Sequence, residues 1–294
     1  MKERQYLTLD PMDLSQRERH GYLLSAVAPR PIAFASTIDK QGRVNLSPFS
    51  FFNVFSSNPP IMIFSPARKG TDNTTKNTHD NVLEVSEVVI NIVNYPIVEQ
   101  MSLSSTAYEK GVNEFIKSGL TEIASDLIAP PRVAESPVAF ECKVNEVVAL
   151  GDQGGAGNLV ICQVVKIHID KSVLDHDNHI DTEKMDLVAR MGGMWYAKAS
   201  GEALFQIPKP LRNKGIGVDA LPDHARTSKI LTGNDLGRLG NISTLPDDIA
   251  IAKAKTILAK ETKIDEAFVH LQVQKLLNKG KTEEGLALLF AYKD

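Results

Sequence analysis

The sequence predicts a mainly β protein: an antiparallel barrel with peripheral helices, followed by a helical C-terminal segment. Short apolar runs bounded by Gly, Pro and Asn recur between residues 31 and 169, which favours antiparallel strands over a parallel sheet with crossover helices. A Pro-Lys-Pro stretch at 208–210 then interrupts regular structure, and helix-favouring sequence follows it. We therefore expect one domain over residues 1–210 and a helical extension over residues 211–294.

The individual strands are predicted from apolar runs of strand length. Residues 31–37 form the first strand, a DKQG turn occupies 39–42, and residues 43–55 resume the extended pattern. Four further ranges have the same apolar or alternating character: 61–64, 88–93, 138–150 and 159–169. Helices are predicted where polar or Ala-rich sequence interrupts these runs: 74–85, 99–105, 113–118, 249–260, 265–278 and 282–292.

Composition excludes several functional classes. The net charge of −3 gives no overall attraction to nucleic acid or to an anionic membrane. No apolar run approaches the roughly 20 residues that span a bilayer, and the polar start does not resemble a secretion signal. The two cysteines, Cys142 and Cys162, lie in apolar alternating stretches and form no C-x-x-C pair. We therefore expect buried free thiols in a cytoplasmic protein.

Residues 65–77 (SPARKGTDNTTKN) concentrate hydroxyls, amides and three cations between a buried strand and a predicted helix. A phosphate dianion binds to such a group of donors, especially where backbone N–H groups are exposed at the start of a helix. The alternative is a solvated polar loop. The segment matches neither the P-loop nor the dinucleotide-binding glycine motif, so it does not indicate a nucleoside triphosphate site.

Two further segments combine aromatic residues with polar groups or glycine. Residues 45–53 (NLSPFSFFN) could offer a flat ring an apolar wall and polar edge contacts, or could be aromatic core. Residues 190–196 (RMGGMWY) could allow close approach of a ligand to the backbone, or form a tight turn with buried aromatics. The histidines at 175–181 (DHDNHID) lack a recognised ligand spacing, so we assign no metal.

Together these segments resemble the flavin reductase-like family of FMN-binding split barrels, in particular the branch containing the reductase component of nitrilotriacetate monooxygenase. The matches occur in the family's order over roughly residues 20–208. They are the following segments: APRPIAFAST at 28–37, GRVNLSPFSFF at 42–52, NPP at 58–60, GVNEF at 111–115, GLT at 119–121, PPRVAESP at 130–137 and RMGG at 190–193.

The resemblance implies an FMN site. Residues 47–52 would run along the ring system and ribityl chain: Ser47, Pro48, Phe49, Ser50, Phe51 and Phe52. The phosphate would contact the loop residues Ser65, Arg68, Lys69, Thr74 and Asn77, with Arg68 and Lys69 neutralising its charge. The remaining implied residues are Ser36, and also Arg30 and Arg190 at the cofactor or at a subunit interface. No catalytic side chain is assigned.

The resemblance also implies an activity and partners. Hydride would pass from NADH or NADPH to FMN, and electrons would continue to an acceptor or to a partner oxygenase, in a homodimer with FMN near the subunit boundary. The main alternative is an FMN-binding electron carrier without a nicotinamide site. A third is a flavin-free protein whose C-terminal helices bind a partner.

Overall fold

The structure is a computed structural model that describes residues 4–209, 214–261 and 263–292. The chain divides into two compact units, Met1–Phe205 and Gln206–Asp294. The domain boundary predicted after residue 210 falls within 210–213, outside the described residues. Each unit is described below by itself.

Among the described residues, the first unit contains eleven strands and four α-helices. The strands are β1 (Ala33–Ile38), β2 (Val44–Phe49), β3 (Phe52–Ser57), β4 (Pro60–Phe64), β5 (Glu87–Ile92), β6 (Glu122–Ile123), β7 (Arg132–Val133), β8 (Val138–Ala149), β9 (Asn158–Ile169), β10 (Leu187–Arg190) and β11 (Tyr196–Ala199). The helices are α1 (Gln16–Ala26), α2 (Asn77–Glu84), α3 (Val98–Leu103) and α4 (Glu114–Ser118).

Seven strands form one antiparallel sheet in the order β2-β1-β5-β8-β9-β4-β3. Its two edge strands, β2 and β3, are separated in the chain only by Ser50 and Phe51. Three Cα steps span about 11 Å, whereas the edges of a flat seven-stranded sheet would lie about 29 Å apart. The sheet must therefore curve until the end of β2 and the start of β3 lie close together, which confirms the predicted antiparallel barrel.

This closure also corrects one prediction. Residues 43–55 were predicted as a single extended segment, but the chain leaves β2 after Phe49 and enters β3 at Phe52. The break transfers the chain from one edge of the sheet to the other. The backbone carbonyl of Phe51 accepts a hydrogen bond of 2.9 Å from Ser65 N–H, which attaches the connection to the end of β4.

The barrel interior is filled by apolar side chains from all seven strands of the sheet and from α2. The ring centroids of Phe49 and Phe64 lie 5.5 Å apart in a tilted arrangement, and Val82 of α2 packs into the same cluster. Cys142 and Cys162 are fully buried there as free thiols, as predicted. Burial raises the pKa of Cys142 to about 12 and also raises that of Cys162, so both thiols stay protonated at neutral pH.

A second apolar layer covers the outer face of β1 and β2. Phe34 and Leu46 point away from the barrel interior and pack with Met101 of α3 and Phe115 of α4. This packing holds α3, α4 and the loop after α3 beside β2. The position of that loop matters below, because it forms one wall of the candidate site.

Strands β10 and β11 form a separate two-stranded hairpin. Its turn contains Gly193 at a φ of 58°, which confirms the predicted tight turn. The aromatics there were expected to be buried, but Trp195 is 78% exposed. Backbone hydrogen bonds in both directions join Arg190 of β10 to Arg30, just before β1. The hairpin is thus fastened to the barrel next to β2.

The second unit contains five helices among its described residues: α5 (Asp223–Arg226), α6 (Gly233–Gly240), α7 (Asp248–Leu258), α8 (Glu266–Asn278) and α9 (Thr282–Ala291). The last three were predicted. Asp247 and Asp265 cap α7 and α8 by accepting hydrogen bonds of 2.7 and 2.8 Å from backbone N–H groups three residues on. Within the described ranges of both units, none of the helices has the length and apolar character needed to cross a membrane.

Candidate functional site

The site is built along the free edge of β2. The Leu46 N–H points away from β1 and donates a hydrogen bond of 2.9 Å to the Glu114 carboxylate. Pro48 follows two residues later, so its backbone faces the same free edge. Proline lacks an N–H and is tolerated at such an edge, because no ladder hydrogen bond is lost. This edge of the barrel is therefore open to a ligand.

Two adjoining clefts follow this edge, and Ser105 in the loop after α3 lines both. The first, here called the lysine cleft, is lined among others by Asn45, Ser47, Lys69, Lys76, Asn77 and Glu114. The second, the arginine cleft, is lined among others by Ile32, Pro48, Ser50, Arg190, Met194 and Tyr196. Because side chains alternate along a strand, Ser47 and Pro48 belong to opposite faces of β2. The clefts therefore flank one exposed strand edge.

Two hydrogen bonds between buried side chains place the start of α2 at the lysine cleft. The amide of Asn45 on β2 donates to the hydroxyl of Thr78 at 2.9 Å, and the amide of Asn81 donates to the hydroxyl of Thr37 at 3.1 Å. The first turn of α2 is consequently held against β1 and β2. Lys76 is its N-cap residue and supplies no side-chain hydrogen bond to the first-turn N–H groups.

Lys69 and Lys76 bring two positive charges to this helix start. Burial, and secondly the charge of Lys69, lowers the pKa of Lys76. Neither ammonium group forms an ion pair with any carboxylate in the described part of the chain. Asp72 in the same loop acts on both lysines without forming an ion pair with either. Two half-buried cations beside uncapped N–H groups are the donors that an anion site uses.

Glu114 is the acidic member of the lysine cleft. Its residue is only 3% exposed, and burial raises the pKa of its carboxyl despite the hydrogen bond from Leu46 N–H. The carboxyl thus anchors the free edge of β2 to α4.

The arginine cleft contains a cation held over an aromatic ring. The Arg190 guanidinium carbon lies 4.7 Å from the centroid of the Tyr196 ring, and its Nη1 donates to the Trp195 carbonyl at 3.0 Å. The hairpin turn fixes this arrangement because β10 and β11 pair directly across it. Pro48 and Ser50 contribute the opposite wall.

The structure brings six of the predicted site residues to the clefts: Ser47, Lys69 and Asn77 to the lysine cleft, and Pro48, Ser50 and Arg190 to the arginine cleft. Two loop residues bond within their own loop instead. The Arg68 guanidinium donates to the side-chain oxygen of Asn73 at 2.7 Å and to the Asn73 carbonyl at 2.6 Å. The Thr74 hydroxyl donates to Asp72 at 2.7 Å.

The remaining predicted residues lie near the clefts without lining them. Ser36 and Ser65 are buried, and their hydroxyls have no hydrogen-bond partner within the described residues. Phe49 and Phe52 pack into the barrel interior, so the core interpretation of the aromatic segment holds for these two. Phe51 is 41% exposed, and Arg30 is buried next to Ser50.

The sequence analysis did not assign Lys76 or Glu114 to the site. Lys76 was one of the three cations of the donor-rich loop, and its position just before a helix was the available signal. Glu114 lies in the GVNEF match at 111–115, but its contact to β2 joins residues 68 positions apart and could not be predicted from a local pattern.

One other cluster has metal-ligand chemistry. Ligand atoms of Asp126, Glu141 and His168 lie within 4.8 Å of one another. However, Glu141 already accepts hydrogen bonds from two backbone N–H groups at 2.7 Å and from His168 at 2.6 Å, and Asp126 pairs with Lys166. Through these contacts the cluster links β8, β9 and the loop before β7. His176 and His179 are exposed and lie beside aspartates.

Comparison with known proteins defines the class. The flavin reductase like domain model matches residues 25–184, and the chain belongs to this family. A protein of Halalkalibacterium halodurans without an assigned function is 38% identical over 206 residues, covering 69% of this chain and 97% of that protein. The family match ends before the second unit begins.

Solved structures agree with this assignment. Nitrilotriacetate monooxygenase component B from Bacillus cereus is similar with a TM-score of 0.65 and 28% identity, covering 70% of this chain and 100% of that one. A protein described as a flavin reductase with a split barrel domain, from Shewanella frigidimarina, gives a TM-score of 0.57 and 28% identity, covering 68% and 96%. The first unit is therefore a split barrel of the flavin reductase-like type, as the sequence predicts.

Proposed function

We propose that the protein binds FMN along the free edge of β2 and passes hydride from NADH or NADPH to it, acting as a flavin reductase. The observation that carries the proposal is the position of Lys69 and Lys76, which lie at the uncapped start of α2 and form no ion pair within the described residues. Their cleft adjoins a second cleft with aromatic and cationic walls. A phosphate monoester joined to a large ring requires this combination. Family membership supports the same ligand class.

The lysine cleft would hold the phosphate. Lys69 and Lys76 would neutralise its charge, while Asn77 and the first-turn N–H groups of α2 would donate hydrogen bonds. The Ser65 hydroxyl is buried without a partner among the described residues, but it does not line this cleft and is not counted among these donors. This donor set fits a phosphate.

The arginine cleft would hold the ring. Pro48 and Tyr196 offer apolar surface, and Ser50 and Arg190 offer donors. FMN, when bound, supplies the hydride-accepting chemistry, and the chain's own residues orient it and set the charge around it. No side-chain nucleophile is required, so the protonated, buried thiols of Cys142 and Cys162 take no part. Their free state also favours a reducing, cytoplasmic location.

The proposal includes a homodimer and an electron acceptor. Val54 and Phe55 of β3 are 56% and 63% exposed, and a second copy would cover this apolar surface. The similarity to a monooxygenase component favours an oxygenase as acceptor. An electron carrier without a nicotinamide site is the competing function. Anaerobic titration of the FMN-loaded protein with NADH and with NADPH separates the two, because a carrier would be bleached by neither.

Phosphate binding is tested by comparing FMN with riboflavin, which has the same ring but no phosphate. A charge-assisted contact contributes roughly 1.5–3 kcal/mol, or about 10- to 150-fold in affinity. We expect Lys76→Gln to weaken FMN by about that factor, to leave riboflavin nearly unchanged, and to reduce the salt dependence of FMN binding. Fluorescence-quenching titrations measure both ligands.

The matched controls are Lys40→Gln, at an exposed lysine of the β1–β2 turn, and Arg68→Gln. Lys40→Gln should change neither affinity. Arg68→Gln should act on FMN only through the loop that Arg68 braces, and therefore less than Lys76→Gln does. Equal losses of FMN and riboflavin in Lys76→Gln would overturn the phosphate assignment.

A further inference from the structure

Arg30 is a buried cation that reaches the arginine cleft through another residue. It is 6% exposed, and its guanidinium donates to four acceptors. Three are backbone carbonyls, those of Leu24 and Val27 at the end of α1 and that of Met191 in the hairpin turn at 3.1 Å. The fourth is the Ser50 hydroxyl, which accepts from Nε at 3.4 Å.

The Arg30 charge has no acidic counterpart. No carboxylate of the described residues pairs with it, and burial, together with the charge of Arg190, lowers its pKa. Carbonyl dipoles stabilise a buried guanidinium but do not cancel its charge. Positive potential therefore extends from Arg30 toward Ser50 and the arginine cleft that Ser50 lines.

The contact also orients Ser50. A serine hydroxyl has one proton and two acceptor positions, and Arg30 occupies one of the acceptor positions. The Ser50 proton is therefore free to point into the cleft, and the adjacent cation makes that hydroxyl a stronger donor.

We propose that Arg30 is a positioning residue, which does not touch the cofactor but acts through Ser50 to make the arginine cleft prefer the reduced, negatively charged flavin ring over the neutral oxidised one. This inference rests on the proposed function. Its physical basis is that a fixed donor backed by a buried cation stabilises charge more than it stabilises a neutral group.

The test uses the full-length protein loaded with FMN. The midpoint potential of bound FMN, compared with that of free FMN, reports the ratio of the dissociation constants of the oxidised and reduced forms. We expect Arg30→Gln to lower this ratio about tenfold, which corresponds to about 30 mV for a two-electron couple. Arg30→Lys keeps the charge and should retain a ratio close to that of the wild type, even if overall affinity falls.

Ser50→Ala tests the effect of Arg30 on the flavin separately from its role in folding, since this variant leaves the three carbonyl contacts of Arg30 in place. It should lower the ratio by a similar factor, and adding Arg30→Gln to it should cause little further change. Arg132→Gln is the control, because Arg132 also binds a backbone carbonyl, that of Ala124, but lines neither cleft.

The outcomes are distinct. Failure of the wild type to bind FMN would overturn the proposed function and this inference with it. Normal binding of FMN with an unchanged ratio in Ser50→Ala would overturn the inference alone, and Arg30 would then be only a brace between α1, the hairpin and the barrel. If Arg30→Lys lowered the ratio of dissociation constants as much as Arg30→Gln does, the geometry of the guanidinium and not its charge would be responsible, which would overturn the inference.

Discussion

At the scale of single residues, Arg68 shows why a cation-rich loop does not reveal which cation is free. The sequence places Arg68 and Lys76 equally well for an anion. In the structure, the guanidinium of Arg68 donates two hydrogen bonds to Asn73, a residue at a φ of 58°. These bonds stabilise the conformation of the loop. The forked donors of arginine suit such a bidentate role, whereas the single ammonium of a lysine does not. The lysines are left for a ligand.

The two cysteines lead to a prediction at the same scale. Both are fully buried, and their raised pKa values keep them as thiols. We expect Cys142→Ala and Cys162→Ala, singly and together, to leave NAD(P)H-dependent flavin reduction unchanged. Each should lower the free energy of unfolding by roughly 0.5–3 kcal/mol through the cavity it leaves. Turnover assays and urea unfolding measure the two effects, and loss of activity in a folded variant would point to redox-active thiols.

At the scale of elements, α5 and α8 are joined by an imidazole pair. His224 Nδ1 lies 3.0 Å from His270 Nε2, the Ser228 hydroxyl lies 2.8 Å from His270 Nδ1, and His224 Nε2 lies 3.2 Å from the Leu289 carbonyl. Ser228 accepts from two backbone N–H groups, so its proton is directed to His270. This chain is satisfied only when both rings are neutral, since each imidazole then donates once and accepts once.

The pair predicts loss of stability in acid. Burial, and secondly the charge of His224, lowers the pKa of His270, while Glu266 opposes this from 3.9 Å. The unfolded chain therefore binds the proton more readily than the folded one. The stability that the neutral imidazole pair contributes is fully present above the ordinary histidine pKa of about 6.5. It is lost as the pH falls below this value, and the free energy of unfolding then decreases by up to about 1.4 kcal/mol per pH unit for one proton.

Urea unfolding followed by far-ultraviolet circular dichroism between about pH 8 and pH 5 measures this dependence around the ordinary histidine pKa. His270→Asn should flatten the curve in that range. His20→Gln, at an exposed histidine of α1, should reproduce the wild-type curve. A His270→Asn curve parallel to that of the wild type would contradict the prediction.

At the scale of the whole molecule, all residues of the two clefts lie in the first unit, and the family match also falls there. We expect a chain truncated after Phe205 to fold and to bind FMN within about twofold of the full-length affinity, because independent sites perturb each other by less than about 0.5 kcal/mol. Flavin absorbance and titration measure this. Loss of FMN binding by a folded, truncated chain would show that the second unit helps to build the site.

Local pattern was sufficient for much of the fold. The apolar runs predict β1, β4, β5, β8 and β9, the helix-favouring sequence at 249–260 and 265–278 predicts α7 and α8, and the ordered motifs predict the split barrel. These features depend on side-chain periodicity and on hydrogen bonds within a few residues, so they can be read along the chain. Three helices were not predicted: α1 buries no residue, α5 has only four residues, and α6 contains three glycines.

What only the tertiary structure decided is which donors converge on the clefts. The break between β2 and β3 follows from the curvature of the sheet, which brings its two edge strands close together where β2 ends and β3 begins and which no local pattern encodes. The same holds for Glu114 on Leu46 and for Arg30 on Ser50 and Met191, contacts that span 20 to 161 residues. Sequence by itself determined the type of barrel and the concentration of donors and cations in the loop at residues 65–77. The free or bonded state of each cation depends on distances between distant segments, which exist only once the chain has folded.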